Sequence, residues 1–294
     1  MNKLTIEQRT QVLQLLCEGM SIRAVSRLTG ASKNTIAKLL VDAGRACAAY
    51  HDAHVRNVKA TRVQVDEIWS FTYAKQKNVA LANYAPEGAG DTWTWTAVDA
   101  DSKMILSYLV GGRDSEYAMG FMDDLALRLA HRGQLTVDSD KAYFEAVEGA
   151  CGCDVDYAQL VKMYGPAITA PGRYSPAECT GIGKRKVEAH PDADYESTSY
   201  VERQNLAMRI DMRRFTRLTN AFSKKVENHV HAVALHVMYY NFVRIHTALR
   251  VTPAMAADVA DRLWEIGDIA LLVEQAEVKP SNRGPYGTKG QILN

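Results

Sequence analysis

Apolar residues at helical spacing mark three short helices at the start of the chain. Thr5 and Gln8 have the spacing of a capping box and precede an apolar run of helical period. Ser21 and Ser32 each precede another such run, so we predict that they cap a second and a third helix. Gly30 lies between these two helices, where a tight turn needs a conformationally permissive residue.

The third helix has the residue pattern of a DNA recognition helix. Its predicted buried face consists of Ile36, Leu39 and Leu40, and its polar positions are Lys33, Asn34, Thr35 and Lys38. We therefore predict an all-α helix-turn-helix DNA-binding domain over residues 1–48, followed by a linker over residues 49–62. A three-helix bundle without a DNA-binding role is the alternative.

The middle of the chain alternates between strand and helix patterns, which predicts an α/β fold with a mixed sheet and flanking helices. Asp66 lies inside the first strand and Asp138 directly follows the fourth, and these two strands could be neighbours in the sheet. The predicted order is strands over 63–71, 93–98 and 104–110, a helix over 115–132, a strand over 135–137, a helix over 142–147 and a strand over 155–158.

Residues 162–197 carry so many glycines and prolines that they predict a long inserted loop. Helical periodicity returns over residues 199–214 and places four residues on one face, Glu202, Leu206, Arg209 and Arg213. On one helix face, a carboxylate can bind a metal ion at a phosphate while the guanidinium groups that follow it hold neighbouring phosphates. Glu–Arg pairing along the helix is the structural alternative.

A further helix is predicted over residues 222–241, with His229 and His236 at the border of its apolar face. No cysteine or acid converges on this histidine pair in the sequence. We therefore interpret the two histidines as hydrogen-bonded core residues rather than metal ligands.

Composition places the chain among soluble globular proteins. The 294 residues are 47% hydrophobic and 23% charged, which suits two domains and excludes disordered, collagen-like and membrane-spanning classes. The five cysteines include no CxxC pair, so neither a disulfide framework nor a zinc ribbon is indicated. The N-terminus is charged and lacks a signal-peptide core, so we expect a cytoplasmic location and no membrane partner.

The net charge of +1 is unevenly distributed. Residues 1–62 contain ten Lys and Arg against four Asp and Glu, a net charge of +6, whereas residues 63–160 contain seven against sixteen, a net charge of −9. Residues 203–225 return to +6, with seven basic residues against Asp211 alone. Basic segments on either side of an acidic centre suit a polyanion bound beside carboxylates that hold divalent cations.

Several motifs resemble one family of proteins. These are VDEIWSF (65–71), DTWTWTAVDADSK (91–103), GGRDSEYA (111–118), YVERQNLAMR (200–209), RRFTRLTNAFSKK (213–225) and YYNFVRIHTALRVTPAM (239–255). Together they resemble bacterial insertion-sequence transposases of the "insertion sequence one" type, from about residue 4 to about residue 272. The resemblance implies the DDE class, a ribonuclease-H-like fold over residues 63–272 and two divalent metal ions held by two aspartates and one glutamate.

The resemblance assigns the three catalytic, metal-binding acids to positions in this chain. The first falls on Asp66 and the glutamate on Glu202. The second aspartate precedes a glycine in the family and falls here on Asp138. In this chain Ser139 replaces that glycine, so Asp140 is an alternative for the second aspartate. The implied ions are Mg²⁺, with Mn²⁺ as a substitute.

The family resemblance also implies partners. It implies double-stranded DNA, as terminal inverted repeats and as target, bound by a homo-oligomer in a synaptic complex associated with the bacterial nucleoid. We expect Arg209, Arg213 and Arg217 to contact phosphates in addition to the recognition helix. A polar motif, Asn241, Arg244 and His246, is expected to buttress the site, and residues 273–294 to form a flexible tail.

The function predicted from these residues is metal-dependent DNA cleavage and strand transfer by a transposase. Two alternatives share parts of the pattern. A catalytically inactive DNA-binding regulator derived from a mobile element would bind one duplex without cutting it, and a nuclease without joining activity would release free ends.

Overall fold

The computed structural model describes residues 3–131, 133–138, 142–151, 156–164, 179–188, 191–216 and 220–277. Its strands are β1 (Arg62–Thr72), β2 (Gly90–Asp99), β3 (Ile105–Gly111), β4 (Gln134–Asp138), β5 (Asp156–Tyr164) and β6 (Cys179–Glu188). Its α-helices are α1 (Ile6–Cys17), α2 (Ile22–Thr29), α3 (Lys33–His54), α4 (Gln76–Val79), α5 (Ser115–Ala126), α6 (Ala142–Cys151), α7 (Ser199–Asp211), α8 (Val226–Met238), α9 (Pro253–Ala256) and α10 (Ile266–Ala276).

The first three helices begin at the predicted caps. Thr5 and Gln8 form a reciprocal capping box at α1, and the Ser21 and Ser32 side chains accept backbone N–H groups at the starts of α2 and α3. Gly30 ends α2 in the left-handed region at φ +73°, which a residue with a side chain rarely adopts.

The predicted domain boundary at residue 48 and the linker at 49–62 are wrong, because α3 continues through this boundary to His54. The buried Arg128 side chain donates to the Val55 carbonyl at 3.2 Å and to Asp52 Oδ1 at 3.2 Å, and it pairs with Asp124 of α5 at 2.7 Å. These contacts anchor the end of α3 to α5, so the polar residues that suggested a linker are packed against the rest of the protein.

The amino-terminal helices pack directly on the carboxy-terminal ones. A Cβ atom added at Gly44 of α3 would lie 2.4 Å from His231 Cβ, so the absence of a side chain allows α3 and α8 to come into close contact. The predicted tail 273–294 begins too early, since Val273 is buried in α10. Arg9 of α1 also pairs with Glu277 at 2.8 Å. Residues 278–294 lie outside the described part of the chain.

The described strands form a six-stranded mixed sheet in the order β3-β2-β1-β4-β5-β6. The predicted hairpin is confirmed, because β2 and β3 pair antiparallel, and β2 also pairs antiparallel with β1. Strand β4 is parallel to β1 and to β5, and β6 is antiparallel to β5. The prediction of an α/β fold with a mixed sheet and flanking helices is confirmed.

Two predicted boundaries near β4 and β5 are also wrong. Residues 162–197 are not a single loop, because β5 extends to Tyr164 and β6 pairs with it along the sheet edge. Helix α5 ends at Ala126 rather than at residue 132, since Leu129 forms a bridge with Val58. Local composition favoured other structures, whereas long-range strand pairing determines the chain path here.

Apolar residues pack on both faces of the sheet. One cluster joins Val65 and Val137 to α5, α6, the amino-terminal helices and α10. The other joins Ile68 to Val201 and Met208 of α7 and to residues of α8. Helix α7 therefore lies on the face opposite α5 and α6. No helix in the described ranges is long and apolar enough to span a membrane.

Candidate active site

Asp66 and Asp138 occupy corresponding positions on adjacent parallel strands. The described pairing of β1 with β4 ends at Val65 and Val137, so the next residue of each strand is one of the two aspartates. Both valines belong to the core on the α5 side. Because successive side chains alternate between the faces of a strand, Asp66 and Asp138 point to the α7 side.

The side chain of Gln64 fixes the start of α7 above these strands. Gln64 is buried in β1, and its Oε1 atom accepts the backbone N–H groups of Tyr200 at 2.8 Å and Val201 at 3.2 Å. Thr198, the residue directly before α7, makes no side-chain capping bond to the helix. The sheet itself therefore satisfies first-turn amides of the helix, and this sets the position of α7 over Asp66.

Asn205 of α7 holds the Asp66 carboxylate. Its Nδ2 atom donates to Asp66 Oδ2 at 2.8 Å, and the backbone N–H of Glu67 donates to Asp66 Oδ1 at 2.8 Å. Both carboxylate oxygens are thus hydrogen-bonded, which compensates for placing a charge within an apolar strand. Glu67 follows Asp66 in β1 and therefore points to the opposite face, where it lies 3.8 Å from Arg113.

Glu202 lies one turn before Asn205 on α7, and its side chain is exposed. Residues three apart share a face of a helix, so Glu202 lies on the side of α7 from which Asn205 reaches Asp66. Thr198 Oγ1 donates to Glu202 Oε1 at 2.7 Å. This hydrogen bond holds the Glu202 carboxylate at the first turn of α7.

The donor types at this site fit a hard divalent cation. Asp66, Asp138 and Glu202 supply carboxylate oxygens, which Mg²⁺ and Mn²⁺ prefer. The buried Oδ1 atom of Asn205 has no hydrogen-bond partner among the described residues, which is unusual next to a carboxylate and leaves room for an external polar group. Within the described ranges, no three His, Cys, Asp or Glu side chains are already arranged to hold a metal ion.

Two solved structures of Mos1 transposase are similar to part of the chain. The pre-cleavage Mos1 transpososome is 11% identical over 53% of this chain and 60% of the Mos1 chain, with a TM-score of 0.23. The Mos1 transposase paired-end complex with the left transposon end has the same identity and coverage, with a TM-score of 0.22. This chain thus spans less than two thirds of the Mos1 chain. No family model and no curated protein sequence matches the chain.

Two buried histidines of α8 are hydrogen-bonded core residues that contact α7 and β1. Gln204 Nε2 lies 3.3 Å from His236 Nε2, and Ser70 Oγ lies 3.1 Å from His229 Nε2. Burial, with a smaller contribution from Arg244, lowers the pKa of His236 to about 3. Burial also lowers the pKa of His229 to about 3, so both rings are neutral at physiological pH.

The polar motif after α8 buttresses the sheet. The last turn of this helix is a π-helix, Tyr239–Val243. Within it, Asn241 Oδ1 accepts the backbone N–H of Ile105 at 2.9 Å, and its Nδ2 donates to the Ile105 carbonyl at 2.8 Å. Arg244 then pairs with Asp211 at 2.6 Å, which holds the end of α7.

The residues predicted to bind DNA lie in two places. Lys33, Asn34 and Lys38 are exposed on α3, where Lys38 pairs with Asp42 and Thr35 bonds to the Ser32 cap. Arg209 and Arg213 are exposed and lie beyond Glu202 along the chain. Arg217, Ser139 and Asp140 lie outside the described residues.

Sequence reasoning missed Gln64 and Asn205. Gln64 is a polar residue in an apolar strand segment, two positions before Asp66 and therefore on the same face. Asn205 is three residues after Glu202, so helical spacing alone places the two on one side. Both signals were present in the sequence, but the rotation of α7 over β1 was needed to show which group Asn205 contacts.

Proposed function

We propose that this protein is a DDE transposase of the "insertion sequence one" type with a ribonuclease-H-like catalytic core. The observation that carries the proposal is the position of Asp66 and Asp138, each directly after the last described pair of β1 and β4, on the side of a helix that carries Glu202 and contacts Asp66 through Asn205. The motif resemblance selects these same three acids. Cleavage and joining of DNA strands is the chemistry that three such carboxylates support.

Asp66, Asp138 and Glu202 would hold two divalent ions, Mg²⁺ or Mn²⁺. Bound there, the ions would neutralise charge that develops on the attacking and leaving oxygens of the phosphodiester. Asn205 keeps the Asp66 carboxylate in one orientation, and Thr198 does the same for Glu202. Gln64 fixes the start of α7, the helix on which Glu202 and Asn205 lie. Glu202 therefore keeps its position relative to Asp66.

DNA would be bound at two surfaces. The exposed residues at the start of α3 would contact the terminal inverted repeats, and Arg209 and Arg213 would contact phosphates near the cleaved bond. Two element ends must be held together for transfer, so the active species would be a homo-oligomer. Target DNA would enter the same acidic centre.

The test is a cleavage and joining assay with the purified protein. Labelled duplexes are cut from the DNA that flanks its own reading frame, and Mg²⁺ or Mn²⁺ is added. We expect nicked and joined products that disappear in Asp66→Asn and Glu202→Gln variants. Comparing Asp138→Asn with Asp140→Asn identifies the second aspartate.

Glu67→Gln is the matched control, because Glu67 neighbours Asp66 in sequence but points to the opposite face. This variant should retain both activities. Metal-independent binding without cleavage by the wild type would contradict the proposal and favour the inactive regulator. Cleavage that yields free ends without joined products would instead indicate a nuclease.

A further inference from the structure

Four aromatic residues at the far end of β1 lie outside both apolar cores. Trp69 and Trp93 are cross-strand partners on β1 and β2, and Phe71 lies 5.9 Å from Trp69 and 4.9 Å from Phe222 between ring centroids. Both tryptophans and Phe222 are partly exposed. We call Trp69, Phe71, Trp93 and Phe222 the aromatic surface.

Helices α5 and α6 bury the neighbour of Trp93 on this face of the sheet. Trp95 is fully buried and packs against Phe121 of α5 and Tyr143 of α6. Trp93 is the next residue outward on the same face of β2, and it belongs to neither core cluster. Trp69 and Trp93 therefore remain partly exposed, with large rings where solvent-exposed strands usually carry polar residues.

Cations cover the rings of the aromatic surface. Arg113 lies 4.5 Å from the Trp93 ring centroid, Lys75 lies 5.6 Å from that of Trp69, and Lys224 lies 4.4 Å from that of Phe222. Among the described residues, neither lysine forms an ion pair with a carboxylate. Such contacts occur about once per 75 residues in proteins, so several on one surface are a concentration that folding alone does not require.

Flat apolar rings combined with Lys75 and Lys224, which form no ion pair among the described residues, match one class of partner. Unpaired nucleotides offer exposed base faces for stacking and phosphates for the cations. The bases of a duplex are already stacked on one another and cannot use the rings. A peptide or an anionic lipid surface would use the cations but would gain less from stacked aromatic rings.

The aromatic surface lies beyond Asp66 along β1, on the opposite face of the sheet. Trp69 is three residues beyond Asp66 on β1, a distance of about 10 Å along the strand. Because successive side chains alternate between the faces of a strand, Trp69 and Asp66 point to opposite faces of β1. We propose that the aromatic surface binds unpaired nucleotides of single-stranded DNA, which rests on the proposed function.

The experiment measures binding of labelled single-stranded oligo(dT) by fluorescence anisotropy, in EDTA so that no cleavage can occur. We expect Trp69→Leu and Trp93→Leu each to weaken binding by about tenfold or more. Single-stranded DNA should also quench the tryptophan emission of the wild type. Tyr195→Leu is the matched control, because Tyr195 is an exposed ring that also carries an arginine, Arg62, at 4.3 Å.

Equal binding by wild type, both tryptophan variants and the control would overturn the proposal, and the rings would then serve stability alone. Preference for duplex DNA or for oligo(rU) over oligo(dT) would also overturn it. If the tryptophan variants do not fold, as judged by thermal unfolding, Arg113→Gln and Lys75→Gln replace them, with quenching in the wild type as the second measurement. Absence of both effects would then overturn the proposal.

The two proposals can fail separately. Binding of single strands in EDTA requires neither metal nor Asp66, so its dependence on Trp69 can be established even if the cleavage assay yields no product. Conversely, metal-dependent joining with single-strand binding that is insensitive to Trp69 and Trp93 would retain the transposase and remove the aromatic surface.

Discussion

Replacing Gly44 with alanine should destabilise the protein, although alanine favours helices. The added Cβ atom would lie 2.4 Å from His231 Cβ and 2.5 Å from His231 Cα, against an ordinary contact limit of 3.4 Å. Relieving this overlap requires α3 and α8 to separate locally by about 1 Å, which is comparable to inserting a methylene into a packed core. Because one of the opposing atoms is backbone, rotation of the histidine side chain cannot relieve the overlap.

The magnitude follows from two opposing effects. Overpacking costs about 1–3 kcal/mol, and the helix propensity of alanine over glycine returns about 1 kcal/mol. We expect Gly44→Ala to lower the free energy of unfolding by up to about 2 kcal/mol. Gly120→Ala on α5 is the matched control, because nothing lies within 4 Å of its added Cβ, and it should stabilise by about 1 kcal/mol.

Urea and thermal unfolding, followed by tryptophan fluorescence and far-UV circular dichroism, measure both variants. Each kcal/mol should shift the unfolding midpoint temperature by about 2 °C in a chain of this size. The reasoning predicts opposite signs for two glycine-to-alanine changes within helices. It is refuted if Gly44→Ala is as stable as Gly120→Ala, because α3 and α8 would then not be in close contact at Gly44.

Three further predictions concern the buttress, the buried histidines and the DNA surface. Asn241→Leu should lower the free energy of unfolding by about 1–3 kcal/mol in urea titrations, because it leaves the buried N–H of Ile105 unpaired and leaves the Ile105 carbonyl with His51 Nε2 at 3.3 Å; an unchanged midpoint would contradict this role. His229 and His236 have folded pKa values of about 3 against an ordinary 6.5, so the unfolded chain binds more protons between these values. Stability should be constant above pH 6.5 and fall as the pH decreases below it, and a urea midpoint equal at pH 7.5 and pH 5 would refute that sign. Arg213→Ala should reduce the slope of log affinity for DNA against log salt concentration by about 1, and an identical slope would remove Arg213 from the interface.

Local signals in the sequence predicted those parts of the structure that local interactions determine. The caps at Thr5, Ser21 and Ser32 each require only residues within one turn, and all three are observed. The pairing of β1 with β4 followed from the alternation of strands and helices, which brings Asp66 and Asp138 to the same level.

The errors occurred where distant contacts decide the structure. Asp52 and His51 looked like linker residues, but Arg128, far along the chain, lies against both. Strand β6 follows a segment rich in glycine and proline and is stabilised by pairing with β5 rather than by its own composition. The role of Asn205 depended on how α7 is rotated over the sheet, which Gln64 sets through a contact between distant residues.

Helix α3 continues without interruption from its exposed first turn into the packed interior. It is therefore a rigid connection of fixed length between the two. Its 22 residues span about 33 Å, which equals the rise of about ten base pairs of duplex DNA. DNA bound at Lys33 would therefore be held in a fixed rotational phase relative to the sheet. Inserting one residue into the exposed part of α3 would rotate its first turn about the helix axis by about 100°. The same insertion would move that turn along the axis by only about 1.5 Å. The orientation of the bound DNA about the axis of α3 would thus change much more than its distance from the sheet.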